Sequence, residues 1–288
     1  MYAITGITGK VGGAAARALL AANKVVRAIV RDPSKGKPWA DCGCEIAIAD
    51  VGSADRLARA FEGAEGVFAM MPPIFDPTPG FPEARAMIGS LRRALEVAAP
   101  GKVVVLSTIG ADVARPNLLN QLGLLEQGLA DLTIPVTYLR PAWFMENAAW
   151  DVAPARATGV IRSYLQPLDR PVPMIAAEDV GRTVAALLQQ TWDGHRVVEL
   201  EGAQRVSPQD VAAAFTRALA HPVRAEVVPQ SQWEDIFRAE GMKNPTPRAQ
   251  MIEGFSAGWI DYPDRGSGAR KGTITLDQAI TALVREAQ

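Results

Sequence analysis

The stretch YAITGITGKVGG at residues 2–13 carries the strongest structural signal in the chain. An apolar run that predicts a strand over Tyr2–Thr5 precedes the spacing GxxGxxG and an Ala-rich segment that predicts a helix over Val11–Ala22. Glycines allow a tight turn close to a phosphate, and a helix N-terminus offers unpaired N–H groups. This context predicts a dinucleotide pyrophosphate site, the alternative being a helix–strand contact without ligand. The residues expected to hold the pyrophosphate are Gly6, Ile7, Thr8, Gly9, Lys10, Val11 and Gly12.

The rest of the first two hundred residues repeats this alternation of short apolar runs with helix-length segments. Further strands are expected at Val25–Val30, Glu45–Ala49, Gly66–Met71, Lys102–Ser107, Val136–Leu139 and Val197–Leu200. Further helices are expected at Ala54–Phe61, Glu83–Ala98, Leu118–Leu129 and Ala177–Gln190. Most of these strands are apolar throughout, as strands are when helices cover both faces of a parallel sheet. The pattern predicts an α/β protein with a Rossmann-type, doubly wound parallel sheet.

After about residue 141 the alternation weakens. The stretch from Pro141 to Pro173 contains five prolines, a density that excludes long regular elements. Beyond it, helices are expected near Pro208–Ala220, Gln230–Glu240 and Leu276–Glu286. We therefore expect a nucleotide-binding domain at residues 1–150, onto which residues 173–200 pack back. Residues 151–288 are expected to form a small, mostly helical C-terminal lobe that binds the substrate.

The end of the second predicted strand bears on the choice of dinucleotide. Val30 is followed by Arg31-Asp32-Pro33-Ser34-Lys35, at the tip where the adenosine ribose lies in this fold. Asp32 suits the ribose hydroxyls of NAD(H), but it also fits an ordinary turn in which the side chain binds its own backbone. Arg31 and Lys35 suit the 2′-phosphate of NADP(H). We expect NADP(H) rather than NAD(H), with Arg31 on the phosphate; otherwise Arg31 is a solvated charge at a strand end.

Two more strand ends belong to the same predicted edge of the sheet. Asp50 ends the third strand, where a carboxylate can accept from the adenine amino group or serve as a turn residue. The fourth strand ends in Met71-Pro72-Pro73, whose prolines stop the strand and shape a wall beside the cofactor. Five prolines between Pro72 and Pro82 predict a stiff flap over this edge.

Composition narrows the classes of function. The chain has 288 residues, 48% of them hydrophobic, and a formal net charge of −1. These values fit a soluble globular protein and leave no positive surplus for binding a nucleic acid. The chain has two cysteines and two histidines, His195 and His221, which are far apart and have no flanking ligand pattern. A zinc site or a serine–histidine–aspartate triad therefore has little to be built from. We expect no metal, no direct nucleic-acid partner, no membrane span and, with two free thiols, a cytoplasmic location.

Four blocks of the sequence resemble the NmrA-like family, a group of atypical short-chain dehydrogenases/reductases. They are TGITGKVG at residues 5–12, VRAIVRDPSK at 26–35, EGAEGVFAMMPP at 62–73 and TIPVTYLRPAWFMEN at 133–147. The resemblance covers most of the chain and implies a Rossmann sheet, a small substrate lobe and NADP(H) binding. Members of the family include NADPH-dependent quinone oxidoreductases, triphenylmethane reductase and non-enzymatic redox-sensing regulators.

One departure from ordinary short-chain dehydrogenases bears on the chemistry. Those enzymes carry Tyr-x-x-x-Lys on the helix after the fifth strand, where the tyrosine does acid–base work. The matching segment here, residues 117–126, contains neither Tyr nor Lys, and Leu122 stands where several relatives keep a lysine. Ser107 matches the place of the usual catalytic serine. Without the tyrosine, we expect Ser107 to touch nicotinamide or substrate.

Hydride transfer to a quinone or another conjugated acceptor needs mainly proximity and orientation. We therefore expect an NADP(H)-dependent oxidoreductase that reduces a small-molecule acceptor of this kind, with no catalytic residue assigned. The alternative is a non-catalytic NADP(H) sensor of the redox-regulator type. The residues expected to line the acceptor pocket, unless they only pack the lobe, are Trp143, Phe144, Met145, Asn147, Trp150, Tyr164 and Met174.

The predicted helix Leu118–Leu129 has leucines around most of its circumference and a single charged residue, Glu126. A helix that is apolar on nearly every side is either buried or meets a partner. The equivalent helix of many short-chain dehydrogenases forms a dimer interface. The resemblance therefore implies a homodimer through Leu118–Leu129.

Overall fold

The computed structural model describes residues 1–287. The strands are β1 (Tyr2–Ile4), β2 (Val26–Val30), β3 (Glu45–Ile48), β4 (Gly66–Ala69), β5 (Val103–Leu106), β6 (Val136–Pro141), β7 (Trp143–Phe144), β8 (Val160–Ser163), β9 (Met174–Ile175), β10 (His195–Glu201), β11 (Arg224–Val227) and β12 (Arg270–Lys271). The α-helices are α1 (Lys10–Ala21), α2 (Lys37–Asp41), α3 (Ala54–Phe61), α4 (Pro82–Ala98), α5 (Asn120–Leu129), α6 (Val152–Thr158), α7 (Ala177–Leu188), α8 (Pro208–Leu219), α9 (Trp233–Ala239), α10 (Thr246–Ala257) and α11 (Leu276–Glu286). Short 3-10 helices cover Pro33–Gly36, Met145–Asp151, Gln230–Gln232 and Pro263–Gly266.

Eight strands of the described chain form one parallel sheet in the order β12-β10-β6-β5-β4-β1-β2-β3. Tyr2 of β1 lies opposite Val26 on one side and Gly66 on the other, so β1 is central. The strand order reverses between β1 and β4. In doubly wound folds such a reversal opens the crevice in which ligands bind, at the carboxyl ends of the strands. The predicted Rossmann-type sheet is confirmed.

Side chains of the central strands alternate between two helical layers. On one face, Ile4, Val104 and Leu139 pack in an apolar cluster with α1 and α7. On the other face, Val103 and Val105 pack with α3, α4 and α5. Because both faces are covered, the strands have no polar face, and this explains why they are apolar throughout in the sequence.

The later part of the chain builds two small parallel pairs, β8 with β11 and β7 with β9. Helices α6, α8 and α11 enclose an apolar cluster of their own. Its largest buried members include Val152, Ile161, Phe215, Ile280 and Leu283. These short strands and helices form the mostly helical part of the molecule beside the large sheet.

The large sheet and the later elements share contacts as well. Strand β12 returns to the sheet beside β10, with Leu200 opposite Arg270. Trp233 and Phe255, from α9 and α10, lie in the same apolar cluster as Ile4 of β1. The boundary near residue 150 and the assignment of residues 151–288 to the substrate stay predictions.

Several helices differ from the expectation, among them the short α2 and α6, which the sequence prediction lacks. Helix α5 begins at Asn120 rather than Leu118, because Asn117 Oδ1 accepts from the Leu119 N–H and Asn120 Oδ1 accepts from the Asn117 N–H. Such side-chain bonds offer the backbone an alternative to the helix. Helix α10 has no counterpart in the sequence prediction. Its Pro247 lies in the first turn, where a proline removes no helical hydrogen bond.

The leucines of residues 118–129 are covered within the chain. Leu118, Leu125 and Leu129 are buried, and Leu122 and Leu124 are half-buried. Packing against α4 and the sheet thus accounts for the apolar circumference, and the homodimer stays a prediction. Among residues 1–287, no helix has the length and apolar character needed to cross a membrane.

Candidate cofactor and acceptor site

The glycine loop joins β1 to α1 at the carboxyl edge of the sheet. Gly6 has a φ of +60°, in the left-handed region that favours glycine. A methyl group at Gly12 would collide with the carbonyl of Gly6, so α1 lies very close to the loop. The loop is compact, because the Gly9 N–H donates to Gly6 O at 2.9 Å and the Gly13 N–H donates to Gly9 O at 2.9 Å.

The first turn of α1 leaves polar groups available at this edge. Gly9 is the N-cap and contributes no side chain, and the first turn contains no acidic residue. The N–H groups of Lys10, Val11 and Gly12 have no acceptor within the helix. With the positive end of the helix dipole, they form a cradle that fits a pyrophosphate. A side chain at Gly12 would push the loop away from the start of α1, so the glycine keeps loop and helix N-terminus together in an arrangement that fits a dinucleotide.

The remaining loop residues divide into exposed and buried side chains. Thr8 and Lys10 are exposed, whereas Ile7 and Val11 are buried in the core and offer only their backbone to the edge. Lys10 Nζ donates to Glu286 Oε2 at 2.7 Å. This ion pair ties the start of α1 to the end of α11.

Met70, which sequence reasoning omitted, lies against the glycine loop. A methyl group at Gly6 would collide with Met70 Sδ, whereas Met71 is buried on the opposite face of the sheet. The alternation of side chains along β4 could have indicated this. Phe68 faces α1, and side chains two residues apart share a face of the strand, so Met70 faces α1 as well. Beyond Met71, Pro72 is half-buried and Pro73 is exposed.

The ends of β2 and β3 bring Arg31 and Asp50 together. Arg31 Nε lies 3.9 Å from Asp50 Oδ2, and the Arg31 side chain is 73% exposed. Asp50 Oδ1 also accepts from the Gly52 N–H at 2.9 Å. Lys35 is exposed on the 3-10 helix that follows β2. This corner presents two exposed cations at the adenosine end of the crevice.

Asp32 caps the short helix after β2. Its Oδ1 accepts from the Ser34 hydroxyl at 2.7 Å and from the Ser34 N–H at 2.9 Å. The bond from the Ser34 hydroxyl is the main reason why the pKa of Asp32 is below its usual value, and the bond from the Ser34 N–H adds to it. The side chain is engaged as an ordinary turn residue, which is the second of the two roles that the sequence suggests.

Asp76 links the proline-rich segment from Pro72 to Pro82 to the loop between α9 and α10. Its two carboxylate oxygens accept from the N–H groups of Lys243, at 2.9 Å, and Asn244, at 2.7 Å. The bond from the Lys243 N–H is the main reason why the pKa of Asp76 is lowered, and the bond from the Asn244 N–H adds to it. The sequence predicts a flap here but carries no signal for its anchor, because 167 residues separate Asp76 from Lys243.

Ser107 follows β5 and belongs to a hydrogen-bonded network. Its side chain is buried, and its Oγ donates to Glu126 Oε1 at 2.5 Å. Arg140, at the end of β6, donates to both oxygens of Glu126 at 2.9 and 2.7 Å and to Asp112 Oδ2 at 2.8 Å. The bonds to Glu126 raise the pKa of Arg140 above its usual value. Ser107 and Arg140 reach the same carboxylate because both side chains face α5.

The strand pair β7–β9 brings two expected acceptor residues together, since Trp143 lies opposite Met174. The Trp143 ring packs edge-on against Phe255, with centroids 5.0 Å apart. Met174 and Met145 are buried in the core that faces α1 and α7, while Phe144 is half-buried. Of these four, only Trp143 and Phe144 keep partly exposed surfaces that a ligand could reach.

The other expected acceptor residues lie apart from that pair. Trp150 is 89% exposed and Asn147 is exposed, both on the 3-10 helix Met145–Asp151. Tyr164 packs its ring against Trp233 and Phe237. Contact of all seven residues with an acceptor therefore stays a prediction.

A model of one protein family matches residues 2–257, and that family is the NmrA-like family. The chain belongs to the NmrA-like family. Its relatives include an NAD(P)H azoreductase of Xenophilus azovorans, 26% identical over 91% of this chain and 88% of the relative. Another is quinone oxidoreductase 2 of Escherichia coli K12, 25% identical over 96% of this chain and 91% of the relative.

Solved structures share the fold of this NmrA-like chain over nearly their full length. An NADPH-dependent quinone oxidoreductase from Escherichia coli, complexed with NADPH, matches with a TM-score of 0.81 and 23% identity over 98% of this chain and 99% of that one. Triphenylmethane reductase of Citrobacter sp., complexed with NADP(H), matches with a TM-score of 0.81 and 19% identity over 100% of both chains. At these identities the likeness concerns the fold.

Proposed function

We propose that the chain is an NAD(P)H-dependent oxidoreductase that uses NADPH to reduce a quinone-like or other conjugated small-molecule acceptor. The observation that carries this proposal is the start of α1, where glycines let the loop pack tightly against the helix N-terminus and its unpaired N–H groups. Relatives named as NAD(P)H azoreductase and quinone oxidoreductase support the reaction class. The free thiols of Cys42 and Cys44 accord with a cytoplasmic location.

The cofactor would lie along the carboxyl edge of the sheet. The residues proposed to hold it are Gly6, Ile7, Thr8, Gly9, Lys10, Val11, Gly12, Arg31, Lys35, Asp50, Met71, Pro72, Pro73 and Ser107. The N–H groups of α1 would bind the pyrophosphate, and Asp50 would accept from the adenine amino group. To this set the geometry adds Met70, whose sulfur lies against Gly6.

NADP(H) is favoured over NAD(H) by the corner at the end of β2. Arg31 extends an exposed guanidinium there, and its partner Asp50 lies at the long distance of 3.9 Å. A phosphate dianion would compete well with so loose a pair, because guanidinium–phosphate bonds are charge-assisted and bidentate. Asp32, the carboxylate that a ribose hydroxyl would need, is already engaged with Ser34.

When bound, NADPH supplies a hydride. The task of the chain is to orient the acceptor and to exclude water, since no Tyr-x-x-x-Lys pair is present to handle a proton. The segment from Pro72 to Pro82, which Asp76 links to Lys243 and Asn244, would close one side of the crevice. Of the predicted acceptor residues, Trp143, Phe144, Asn147 and Trp150 keep exposed surface and are proposed to meet the acceptor. The residues proposed to pack around the pocket are Met145, Tyr164 and Met174.

Replacement of Arg31 by Ala tests the assignment of the 2′-phosphate. We expect the dissociation constant for NADPH to rise about tenfold or more, because a charge-assisted bond to phosphate is lost. The constant for NADH should change little. Titration calorimetry measures both, and Arg93→Ala on the exposed side of α4 is the matched control. An equal loss for both dinucleotides would reject the assignment.

The second candidate is a non-catalytic NADP(H) sensor, which the missing Tyr and Lys favour. A panel of quinones and conjugated dyes discriminates between the two functions. An enzyme consumes NADPH in proportion to an added acceptor. Tight NADPH binding with no consumption across the panel would reject the oxidoreductase and support the sensor.

We also propose a homodimer through Leu118–Leu129. The support is the resemblance in sequence, since the leucines themselves are covered within the chain. Light scattering over a range of concentrations tests it. A mass of one chain at every concentration would reject the dimer.

A further inference from the structure

The hydrogen bond from Ser107 has a fixed direction. A serine hydroxyl has one proton to donate and two lone pairs with which to accept. The Ser107 proton is directed at Glu126 Oε1, 2.5 Å away, and the side chain is only 4% exposed. The direction of this bond depends on the charge of Glu126.

Arg140 sets that charge. Its guanidinium donates to both oxygens of Glu126, at 2.9 and 2.7 Å. A bidentate guanidinium stabilises the ionised carboxylate, which can only accept hydrogen bonds. The two side chains are 11% and 13% exposed, so solvent weakens this pair little. Glu126 therefore holds the Ser107 proton, and the lone pairs of Ser107 point elsewhere.

We propose that Ser107 acts toward the ligand as a hydrogen-bond acceptor, and that its Oγ accepts a hydrogen bond from an N–H of the nicotinamide carboxamide. This inverts the role of a serine that donates its proton to a substrate oxygen. Glu126 and Arg140 are positioning residues, because they act through Ser107.

The place of Ser107 in the fold supports this choice of ligand group. The strand order reverses between β1 and β4, so a dinucleotide spans the crevice from the β2 side to the β5 side. Arg31 and Lys35 mark the adenosine side, which leaves the nicotinamide half for the end of β5. Ser107 is the first residue after β5. The inference rests on the proposed function, in so far as the ligand is NADP(H).

Binding of two oxidised dinucleotides tests the inference without turnover. The probes are NADP⁺ and its 3-acetylpyridine analogue, in which a methyl group replaces the carboxamide NH₂. We expect the wild-type chain to bind NADP⁺ about 3- to 10-fold more tightly, the range for one neutral hydrogen bond. The variant Ser107→Ala should bind both about equally, and Ser107→Thr should keep the preference. Titration calorimetry measures the six dissociation constants.

The variant Glu126→Gln tests whether the direction of the Ser107 hydrogen bond matters, and not only the presence of the hydroxyl. A glutamine amide can donate to Ser107 Oγ, which frees the serine proton to turn toward the ligand. The preference for NADP⁺ should then disappear although Ser107 is intact. If Glu126→Gln does not fold in a thermal scan, the comparison of Ser107→Ala with Ser107→Thr still decides.

Ser90→Ala is the matched control, because the Ser90 hydroxyl donates to the carbonyl of Gly52 near the start of α3. It should leave the ratio of the two constants unchanged. Equal wild-type affinity for both dinucleotides, or a preference that survives in Ser107→Ala, would overturn the inference while leaving cofactor binding intact. Failure of the wild-type chain to bind either dinucleotide would overturn the proposed function, and this inference with it.

Discussion

Asp151 ends the 3-10 helix that follows β7, and burial raises the pKa of its carboxyl group to about 7. Its ordinary value is 3.8. Between these two values the folded chain keeps a proton that the unfolded chain has lost. The free energy of unfolding therefore falls as the pH rises through this window. This contribution is complete below about pH 4 and is lost as the pH passes 7.

Replacement of Asp151 by Asn should remove this dependence, because an amide does not ionise. We expect the variant to gain about 2 kcal/mol over the wild type between pH 5 and pH 8. Urea unfolding at the two pH values measures the difference. If the two proteins show parallel pH profiles, the pKa of the Asp151 carboxyl group is not raised by burial.

Gly12 is a position where one methyl group should affect both stability and binding. In Gly12→Ala the new group collides with the carbonyl of Gly6, and either α1 or the loop must shift. We expect a loss of about 1–3 kcal/mol in the free energy of unfolding. NADPH affinity should fall at least tenfold, as measured by calorimetry.

Gly89→Ala on α4 is the control for Gly12→Ala, since no atom outside the helix lies within 4 Å of the added group. Alanine is the better helix former by about 1 kcal/mol, so the control should be stabilised. Its NADPH affinity should be unchanged. Wild-type affinity in Gly12→Ala would contradict the cradle.

The residues of the glycine loop could be predicted because their chemistry is local. Strand, turn and helix follow one another within residues 2–21, and the proposed pyrophosphate binding needs only backbone groups of this segment. The contact of Met70 with the loop was harder to predict, because only the alternation of side chains along β4 distinguishes Met70 from Met71. Ser107 with Glu126, and Asp76 with Lys243, depend on contacts across the fold that neither spacing nor composition encodes.

At the scale of elements, the segment from Pro72 to Pro82 is held by one carboxylate. Asp76→Ala removes two hydrogen bonds to the backbone of the small lobe. We expect faster amide hydrogen exchange at Lys243 and Asn244, and faster dissociation of NADPH. Exchange followed by mass spectrometry and a stopped-flow chase measure the two effects.

The same anchor should respond to acid with a defined sign. The pKa of Asp76 is lowered by its bonds to Lys243 and Asn244, so the anchor stays ionised throughout the neutral range and weakens only at acid pH. Asp169→Ala, on an exposed loop, is the control. Unchanged exchange at residues 243–244 in Asp76→Ala would show that other contacts hold the segment.

Element boundaries were predictable where periodicity and caps agree. Helix α11 spans Leu276–Glu286 as expected, with Thr275 and Gln278 forming a capping box. Helix α5 begins late because two asparagine side chains bind the backbone before it. Proline-rich stretches indicated where long elements stop, but not the short strands β7 and β9, whose pairing is a tertiary contact.

At the scale of the whole molecule, one apolar cluster joins the sheet to the later helices. Ile4 of β1 and Trp233 of α9 belong to it. Because this cluster crosses between the two parts, we expect them to unfold in one cooperative transition. Leu283 lies in the separate cluster of α6, α8 and α11, but Leu276 of the same helix packs against both clusters. We therefore expect Leu283 to report on the sheet as well as on its own surroundings.

Leu283→Ala should therefore destabilise the entire fold by about 2–5 kcal/mol. Tryptophan fluorescence reports mainly on the later elements, and far-ultraviolet circular dichroism reports on the whole chain. The two unfolding curves should coincide and shift together. A fluorescence transition that precedes an unshifted dichroism transition would show that the small lobe unfolds alone.

The ion pair between Lys10 and Glu286 has a consequence for biosynthesis. The two residues are 276 positions apart, which at about 5–20 residues per second corresponds to roughly 14–55 seconds of translation. For that time a nascent chain carries its glycine loop without α11. Strand β10 is likewise made before β12, which covers its outer edge. The glycine loop is therefore synthesised long before the helix whose Glu286 pairs with Lys10.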